Sequence, residues 1–252
     1  MLVDIRRPLK KFIPLFLKAR ESNLNEADTS THIERFLEEV LGYRVITEIT
    51  KEQRTGGGKI DLAVLIDEHI RFFLEVKRAK SKLNEQHLRQ TKHYAIDEGV
   101  HWAVLTNGVT WQLYHVTVDG STQCDRVFTV DLTEGPVGRS EALLGLLHRT
   151  SVRRNRLEAY WAEQTALSPE SVRRALFQED VLRMIRKKIK AHKKTVVGVA
   201  ALAEAIHSMF SEDSRLRMGP PKVIPKTAGR KKQQSAQEAP ANAAAAGAGF
   251  DS

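Results

Sequence analysis

The stretch Lys59-Ile-Asp-Leu-Ala-Val-Leu-Ile-Asp-Glu-His-Ile-Arg-Phe-Phe-Leu-Glu-Val-Lys77 decides the fold of this chain. It contains two short runs rich in β-branched and aromatic residues, 60–66 and 70–77, separated by polar residues. Such runs predict two β-strands joined by a turn at 67–69. Three charged residues interrupt this apolar hairpin, namely Asp61, Glu75 and Lys77.

The register of the hairpin decides whether the charged side chains meet. A three-residue loop at 67–69 pairs Ile66 with Ile70, and the same register places Asp61 opposite Glu75. A two-residue loop would place Asp61 opposite Leu74 instead. The cluster therefore requires either the longer loop or a β-bulge.

Two carboxylates beside a lysine are a candidate site for a divalent metal. Glu75 and Lys77 lie two residues apart, so they share one face of a strand. Mg²⁺ takes oxygen ligands, and a pair of acids with a substrate phosphate suits it. A neighbouring ammonium can orient the attacking water or stabilise negative charge on the phosphate. The alternative is an exposed strand face that carries a surface ion pair.

The composition favours an acidic partner. The 252 residues carry a net charge of +9, with a pI near 9.7, which suits nucleic acid first and an anionic membrane surface second. The single cysteine, Cys124, excludes an internal disulfide and predicts a cytoplasmic protein. No run approaches the ~20 apolar residues of a membrane span, and of the two acidic partners we expect nucleic acid and no membrane. Gly56-Gly57-Gly58-Lys59 lacks the spacing of a phosphate-binding loop, so nucleotide binding is not expected.

The order of predicted elements divides the chain into four parts. Residues 1–22 form a basic N-terminal lead-in, with a short helix near 9–19 disturbed by Pro14. Residues 23–135 form a mixed α/β domain, and residues 136–215 form a helical, basic C-terminal region. Residues 219–252 are rich in Pro, Lys and Ala, which predicts a disordered tail that is dispensable for folding.

Within the α/β domain, the patterns predict two helices and five or six strands. The predicted helices are 25–41 and 84–98, and the predicted strands are 44–50, 60–66, 70–77, 102–106, 109–115 and 126–132. Asn107-Gly108 predicts a type I′ turn. Further helices are predicted at 141–166, 169–194 and 196–210.

A series of short motifs lies between Asn23 and Val116. They are Asn25-Glu26-Ala27-Asp28, Leu41-Gly42-Tyr43, Asp61, Glu75-Val76-Lys77, Gln90-x-x-x-Tyr94, and Leu105-Thr106-Asn107-Gly108 with Trp111. This series resembles the PD-(D/E)xK nuclease superfamily. Within it, the series is most similar to the N-terminal nuclease domain of the restriction subunit of type I restriction enzymes, a RecB-type branch. The resemblance implies a restriction-endonuclease-like αβββαβ core with a mixed central sheet. It also implies a Mg²⁺-dependent DNA endonuclease, with Mn²⁺ as a substitute.

The resemblance assigns roles to four charged residues. Asp61, Glu75 and Glu26 would be metal ligands, and Lys77 would orient water or stabilise charge. Helical spacing independently favours Glu26, because it lies seven residues before Ile33 and so on nearly the same face as the apolar stripe. The alternative for Glu26 is a favourable charge in the first helical turn.

The resemblance also implies that Gln90 and Tyr94 line the site and help to hold DNA or the acids. They are one helical turn apart, and the alternative is a partly buried tyrosine beside a solvated glutamine. Glu34 competes with Glu26 as the acid of the first helix, although it is offset from the apolar stripe. Ile60 stands where the motif has proline, and no motor motifs follow residue 140. We therefore expect a stand-alone relative of the restriction subunit.

The predicted helix 169–194 carries a basic stripe, which we expect to contact DNA through Arg183, Arg186, Lys187, Lys190 and Lys194. Its apolar stripe, Leu182, Ile185 and Ile189, could pack on the nuclease domain. The alternative is a solvated helix face. Two other functions compete with a nuclease: a non-catalytic DNA-binding module that keeps the fold, and an accessory that docks other restriction or defence subunits.

Overall fold

The computed structural model of this protein describes residues 3–55, 58–119, 121–134 and 137–225. Residues 56–57, which belong to the run Gly56-Gly57-Gly58-Lys59, and residues 226–252 of the predicted tail lie outside the described residues. The chain forms two compact units, Met1–Ala166 and Leu167–Ser252. The boundary falls within the region that the sequence predicted as one helical part.

The first unit is built on a mixed six-stranded sheet with the strand order β1-β2-β3-β4-β5-β6. The strands are β1 (Ile49–Thr55), β2 (Gly58–Ile66), β3 (His69–Val76), β4 (Trp102–Thr106), β5 (Thr110–Asp119) and β6 (Ser121–Asp131). Neighbouring strands are antiparallel except β3 and β4, which are parallel. A parallel pair needs a crossover, and the helix between these strands supplies it.

Helices precede, interrupt and follow the sheet. In the described part of the first unit they are α1 (Arg6–Glu21), α2 (Glu26–Glu39), α3 (Val45–Glu48), α4 (Arg89–Asp97), α5 (Val137–Leu144), α6 (Arg149–Arg153) and α7 (Arg156–Ala166). Short 3-10 turns occur at Glu85–Leu88 and Gly145–Leu147. The order α2, β1, β2, β3, α4, β4 is the predicted αβββαβ core, so the mixed α/β fold is confirmed.

The two faces of the sheet carry separate apolar clusters. Phe36 of α2 belongs to the cluster that contains Leu74, whereas Tyr94 of α4 belongs to the cluster that contains Phe73. Successive strand residues point to opposite faces, so Phe73 and Leu74 divide between them. Glu75 follows Leu74 and therefore lies on the face covered by α4.

The predicted lead-in contains a core helix. Helix α1 buries Leu9, Phe12, Phe16 and Ala19, which recur at helical spacing. The Phe16 ring lies 5.5 Å from that of Phe36 and 6.5 Å from that of Trp111, measured between ring centroids. Burying one such ring contributes about 1.5–3 kcal/mol. Pro14 is exposed within α1, and the helix continues through it.

The strand predicted at 44–50 is wrong in its first part, where the chain forms α3. The Glu48 carboxylate accepts the Arg44 backbone N–H at 3.0 Å and the Arg149 Nε at 2.8 Å. These bonds close one helical turn and tie it to α6. Ile46, which could have faced inward in a strand, is 97% exposed.

The central hairpin reaches its register through a short turn and a bulge. Ile66 pairs with His69 rather than with Ile70, so the turn is the two-residue Asp67-Glu68, and both residues have positive φ. The pairing then shifts between Val64 and Leu65. The shift leaves Arg71 as the extra residue of β3. A two-residue turn and one bulge thus give Leu62 opposite Leu74, which is the register that a three-residue loop would have given.

The hairpin at Asn107-Gly108 is confirmed, but the predicted turn type is wrong. A type I′ turn needs positive φ at both central residues, and only Gly108 has it, at +90°. Asn107 Oδ1 instead accepts the backbone N–H groups of Val109 at 3.1 Å and Thr110 at 2.7 Å. A side-chain acceptor of this kind replaces a backbone turn.

The second unit is helical in its described part. Its helices are α8 (Pro169–Leu176), α9 (Glu179–Lys193), α10 (Val199–Ser208) and α11 (Glu212–Met218). The single helix predicted at 169–194 is broken at Phe177-Gln178. The apolar stripe of α9 packs in a cluster with Phe177 and Leu202 of this unit.

The chain is docked beyond residue 219, where the disordered tail was expected to begin. Ile224 donates its backbone N–H to Phe177 O and accepts the N–H of Glu179, both at 2.9 Å. Val223 and Ile224 also pack against the apolar cluster of the second unit. The first residues of the predicted tail therefore complete this unit. No helix in the described ranges is long and apolar enough to cross a membrane.

Candidate functional site

Asp61 lies where β2 and β3 separate. Their last backbone pair is Leu62 with Leu74, and the same register places Asp61 next to Glu75. The Asp61 Oδ2 atom accepts the Val76 backbone N–H at 2.7 Å. A backbone donor to a carboxylate is a charge-assisted bond, stronger than its neutral counterpart. The bond positions the Asp61 carboxylate at the end of β3.

Glu75 is a buried acid, 8% exposed. Its Oε2 accepts the Thr91 hydroxyl of α4 at 3.1 Å, and its Oε1 lies 2.7 Å from the Lys77 Nζ. Burial, with the nearby charge of Asp61, raises the pKa of Glu75 above its ordinary value, although Lys77 and Thr91 act in the opposite direction. Additional positive charge near Glu75 would therefore stabilise its ionised form.

Lys77 directly follows β3 and continues its pairing, because its backbone N–H donates to Thr106 O at 2.8 Å. Its ammonium contacts Glu75 and lies 3.0 Å from Glu26 Oε1. Burial lowers the pKa of Lys77, but the bonds to Glu75 and Glu26 outweigh burial and raise it above the ordinary value. Lys77 is thus held as a cation between two carboxylates.

Glu26 is the first residue of α2, and it reaches the site from the helix end. The Asn25 side chain caps this helix by accepting the Asp28 backbone N–H at 2.8 Å. The Glu26 side chain is 50% exposed and bonds to Lys77. The position also suits an acid near the positive end of the helix dipole, so the two interpretations of Glu26 are compatible.

A cleft of about 410 Å³ opens beside these residues. Its lining includes Glu26, Glu34, Lys51 and Asp61. Glu34 is 8% exposed, and its Oε2 lies 2.7 Å from the Lys51 Nζ. Glu34, which competed with Glu26 from the sequence, therefore lies in the same cleft and is paired with Lys51 of β1.

The arrangement brings together the three residues that the motif singled out, with Glu26 added. In the parts of the chain that the structure describes, no three His, Cys, Asp or Glu residues form a group able to hold a metal ion. Asp61 and Glu75 offer two sets of carboxylate oxygens, and Glu26 is engaged with Lys77. The three-acid ligand set Asp61, Glu75 and Glu26 stays a prediction.

Gln90 and Tyr94, the two residues predicted to line the site from α4, differ in burial. Tyr94 is buried, 3% exposed, whereas Gln90 is exposed. Thr91, which sequence reasoning missed, is the residue of α4 that bonds Glu75. The signal was present, because Thr91 is a polar residue at helical spacing between Leu88 and Ala95 on the buried face.

The residues predicted to contact DNA lie on α9 and at its end, in the second unit. Lys187 and Lys190 are exposed, and Arg186 is partly buried. Arg183 Nη2 lies 2.6 Å from Glu179 Oε1, so its charge is partly neutralised. Lys194 caps the helix in the left-handed conformation, with φ of +52°.

Comparison with known proteins supports the resemblance drawn from the motifs. No curated protein matches the chain. Residues 26–127, which run from Glu26 of the site through most of β6, match the family described as type I restriction enzyme R protein N terminus (HSDR_N). For this part of the chain the predicted family is confirmed, and with it a restriction-related, nuclease-like domain.

Proposed function

We propose that this protein is a metal-dependent DNA endonuclease, related to the nuclease domain of type I restriction subunits. The observation that carries the proposal is the meeting of Asp61, Glu75 and Lys77 at the end of the β2–β3 hairpin. The match of residues 26–127 to the restriction family supports it. Surface ion pairs are common, but buried Glu75 and partly buried Lys77 are not a surface pair.

The donors fit a hard divalent cation. Mg²⁺ is bound through one or two carboxylates, with water and substrate phosphate as further ligands, and Asp61 and Glu75 supply such carboxylates. The raised pKa of Glu75 points the same way, since a cation beside Glu75 and Asp61 would offset their repulsion. When bound, Mg²⁺ or Mn²⁺ would polarise a phosphoryl oxygen and lower the pKa of a water.

The residues of the chain would supply orientation and charge. Val76 N–H fixes the Asp61 carboxylate, and Thr91 fixes that of Glu75. Lys77, held as a cation, would donate to a phosphate oxygen and stabilise the negative charge that develops there. Glu26 would keep the ammonium in place when Glu75 turns to another partner.

Cleavage of a supercoiled plasmid tests the proposal. Wild-type protein should nick it with Mg²⁺ or Mn²⁺ and not with EDTA. Asp61→Asn and Lys77→Met should each lower the rate by at least about 100-fold, the usual effect of removing one charge-stabilising group. Asp97→Asn, on the exposed end of α4, is the matched control. Cutting that survives both site substitutions would reject the mechanism; metal-independent DNA binding without cutting would favour the non-catalytic module.

We also propose that α9 adds sequence-independent DNA affinity. Arg186, Lys187 and Lys190 follow its basic stripe, and each phosphate neutralised contributes about −0.9 to the slope of log K against log salt. Replacing all three by Gln should weaken binding to every sequence alike and flatten that slope. Docking of another restriction-system subunit becomes the better interpretation of α9 if the slope is unchanged.

A further inference from the structure

The loop that follows Lys77 presents a row of unpaired cations. Arg78, Lys80 and Lys82 are exposed, and none forms an ion pair with the described residues. No acidic residue interrupts 77–82, and the next one is Glu85. We call residues 78–82 the basic loop.

The backbone of the basic loop is anchored to the rest of the unit at two points and is closed by one internal turn. Ala79 is 1% exposed, and its N–H donates to Leu24 O at 3.3 Å. Ser81 N–H donates to Arg78 O at 2.9 Å, which closes a β-turn. The Asn107 side-chain amide donates to Ser81 O at 2.9 Å. Because the chain is held between these bonds, the three cationic side chains project from a fixed backbone.

These cations do not contribute to folding as ion pairs. Lys77 and Lys51, the two lysines of the candidate site, are both bonded to carboxylates. Arg78, Lys80 and Lys82 have no such carboxylate partner among the described residues, and like charges repel one another. A row of exposed cations on an anchored backbone suits an anionic ligand.

The neighbouring cleft is lined by three acids, Glu26, Glu34 and Asp61, and by one lysine, Lys51. Its lining therefore carries net negative charge, which repels a phosphodiester. Arg78 is bonded directly to Lys77, so their Cα atoms are about 3.8 Å apart. Cations beside an acidic cleft raise the local concentration of a polyanion.

We propose that the basic loop holds the phosphate backbone of DNA beside the candidate site, through Arg78, Lys80 and Lys82. The inference rests on the proposed function and deepens it, because it names the surface that delivers the substrate. The inference concerns DNA binding rather than cleavage, so it can be rejected while the nuclease proposal stands.

Fluorescence anisotropy with a labelled 20-base-pair duplex tests it, in EDTA and between 50 and 200 mM KCl. The full-length loop variant replaces Arg78, Lys80 and Lys82 by Gln. Three lost phosphate contacts should reduce the salt slope by about 2.7. Over that fourfold rise in salt, the wild type should therefore lose about 40-fold more affinity than the loop variant. The thermal midpoint should stay the same or rise, because repulsion is removed.

The matched control replaces Arg7, Lys10 and Lys11 by Gln. These residues are also exposed and without ion-pair partners among the described residues, but they lie in the first turns of α1. The control should keep the wild-type slope.

An unchanged slope in the loop variant, an equal drop in the control, or no wild-type binding at 50 mM KCl would overturn the inference. Plasmid cleavage in Mg²⁺ separates the two proposals. If the wild type does not cut the plasmid and the loop variant binds DNA more weakly than the wild type, the nuclease proposal is rejected and the proposal for the basic loop stands. A wild type that cuts while the loop variant keeps its slope would reject the loop alone.

Discussion

Replacing Gly108 by Ala should destabilise the first unit through one identifiable contact. An added Cβ would meet the Phe16 ring, 2.7 Å from Cδ1 and 3.1 Å from Cε1. Phe16 is 2% exposed and packs against Phe36, so it cannot swing away freely. The positive φ of Gly108 costs a non-glycine residue about 1–2 kcal/mol, and overpacking adds about 1–3 kcal/mol. The expected loss in the free energy of unfolding is therefore about 2–5 kcal/mol.

Gly99 offers the matched control. It also has positive φ, +64°, but an added Cβ would have nothing within 4 Å. Gly99→Ala should therefore cost only the backbone part, about 1–2 kcal/mol. The difference between the two variants isolates the contact with Phe16.

Urea unfolding followed by tryptophan fluorescence measures both variants. Trp102, Trp111 and Trp161 all belong to the first unit, so the signal reports that unit. Adding Phe16→Leu to Gly108→Ala should recover stability, with a coupling of about 1–3 kcal/mol. Equal losses for the two glycine variants, with no coupling to Phe16, would refute the packing of α1 against this turn.

Three further results are expected. Thr91→Val should lower the rate of metal-dependent cleavage about 10–100-fold, because a residue that orients a metal ligand is lost. Thr91→Ser, which keeps the hydroxyl, should retain most of the rate. Equal rates for the two variants would show that Thr91 does not position Glu75. The bonds to Arg149 hold the pKa of Glu48 below its ordinary value, so its stabilisation is present above pH ~4.5 and is lost as the pH falls through the lowered pKa. Glu48→Gln should lower the free energy of unfolding by about 1–3 kcal/mol at pH 7. Between pH 5 and 3 the variant should lose less of that free energy than the wild type does, as measured by urea titration. A chain ending at Met218 should melt at a lower temperature in its second unit than one ending at residue 225, because it lacks the strand-like pairing of Ile224; identical calorimetric profiles would contradict this.

Local pattern was sufficient to predict the central hairpin and α4. Runs rich in β-branched and aromatic residues identified β2 and β3, and Gly99, with positive φ, follows the end of α4. The meeting of Asp61 and Glu75 depended on loop length, and the bulge at Arg71 gives no local signal in a run of apolar residues. The sequence could therefore name the two carboxylates but not the backbone geometry that brings them together.

Long-range contacts decided the segments that sequence reasoning missed. Residues 44–50 were predicted as one strand, yet Glu48 is bonded to Arg149, which lies 101 positions away. Pro14 suggested a disturbed helix, although four buried side chains stabilise α1. Ile224 belonged to a segment of polar, proline-rich composition, and its partners at Phe177 and Glu179 come from much earlier in the chain. In each case tertiary contacts outweighed local preference.

The parallel pairing of β3 with β4 has a consequence for folding. All other neighbouring strands of the sheet are consecutive and antiparallel, so β1–β3 and β4–β6 can each form as a local three-stranded meander. Joining them requires closure of the segment that contains α4, and non-local closure is the slow kind of step. Asp61 and Glu75 meet within the first meander, whereas Thr106, which fixes the Lys77 backbone, belongs to the second. We therefore expect the acids to come together early and the lysine to be fixed only when the two meanders join.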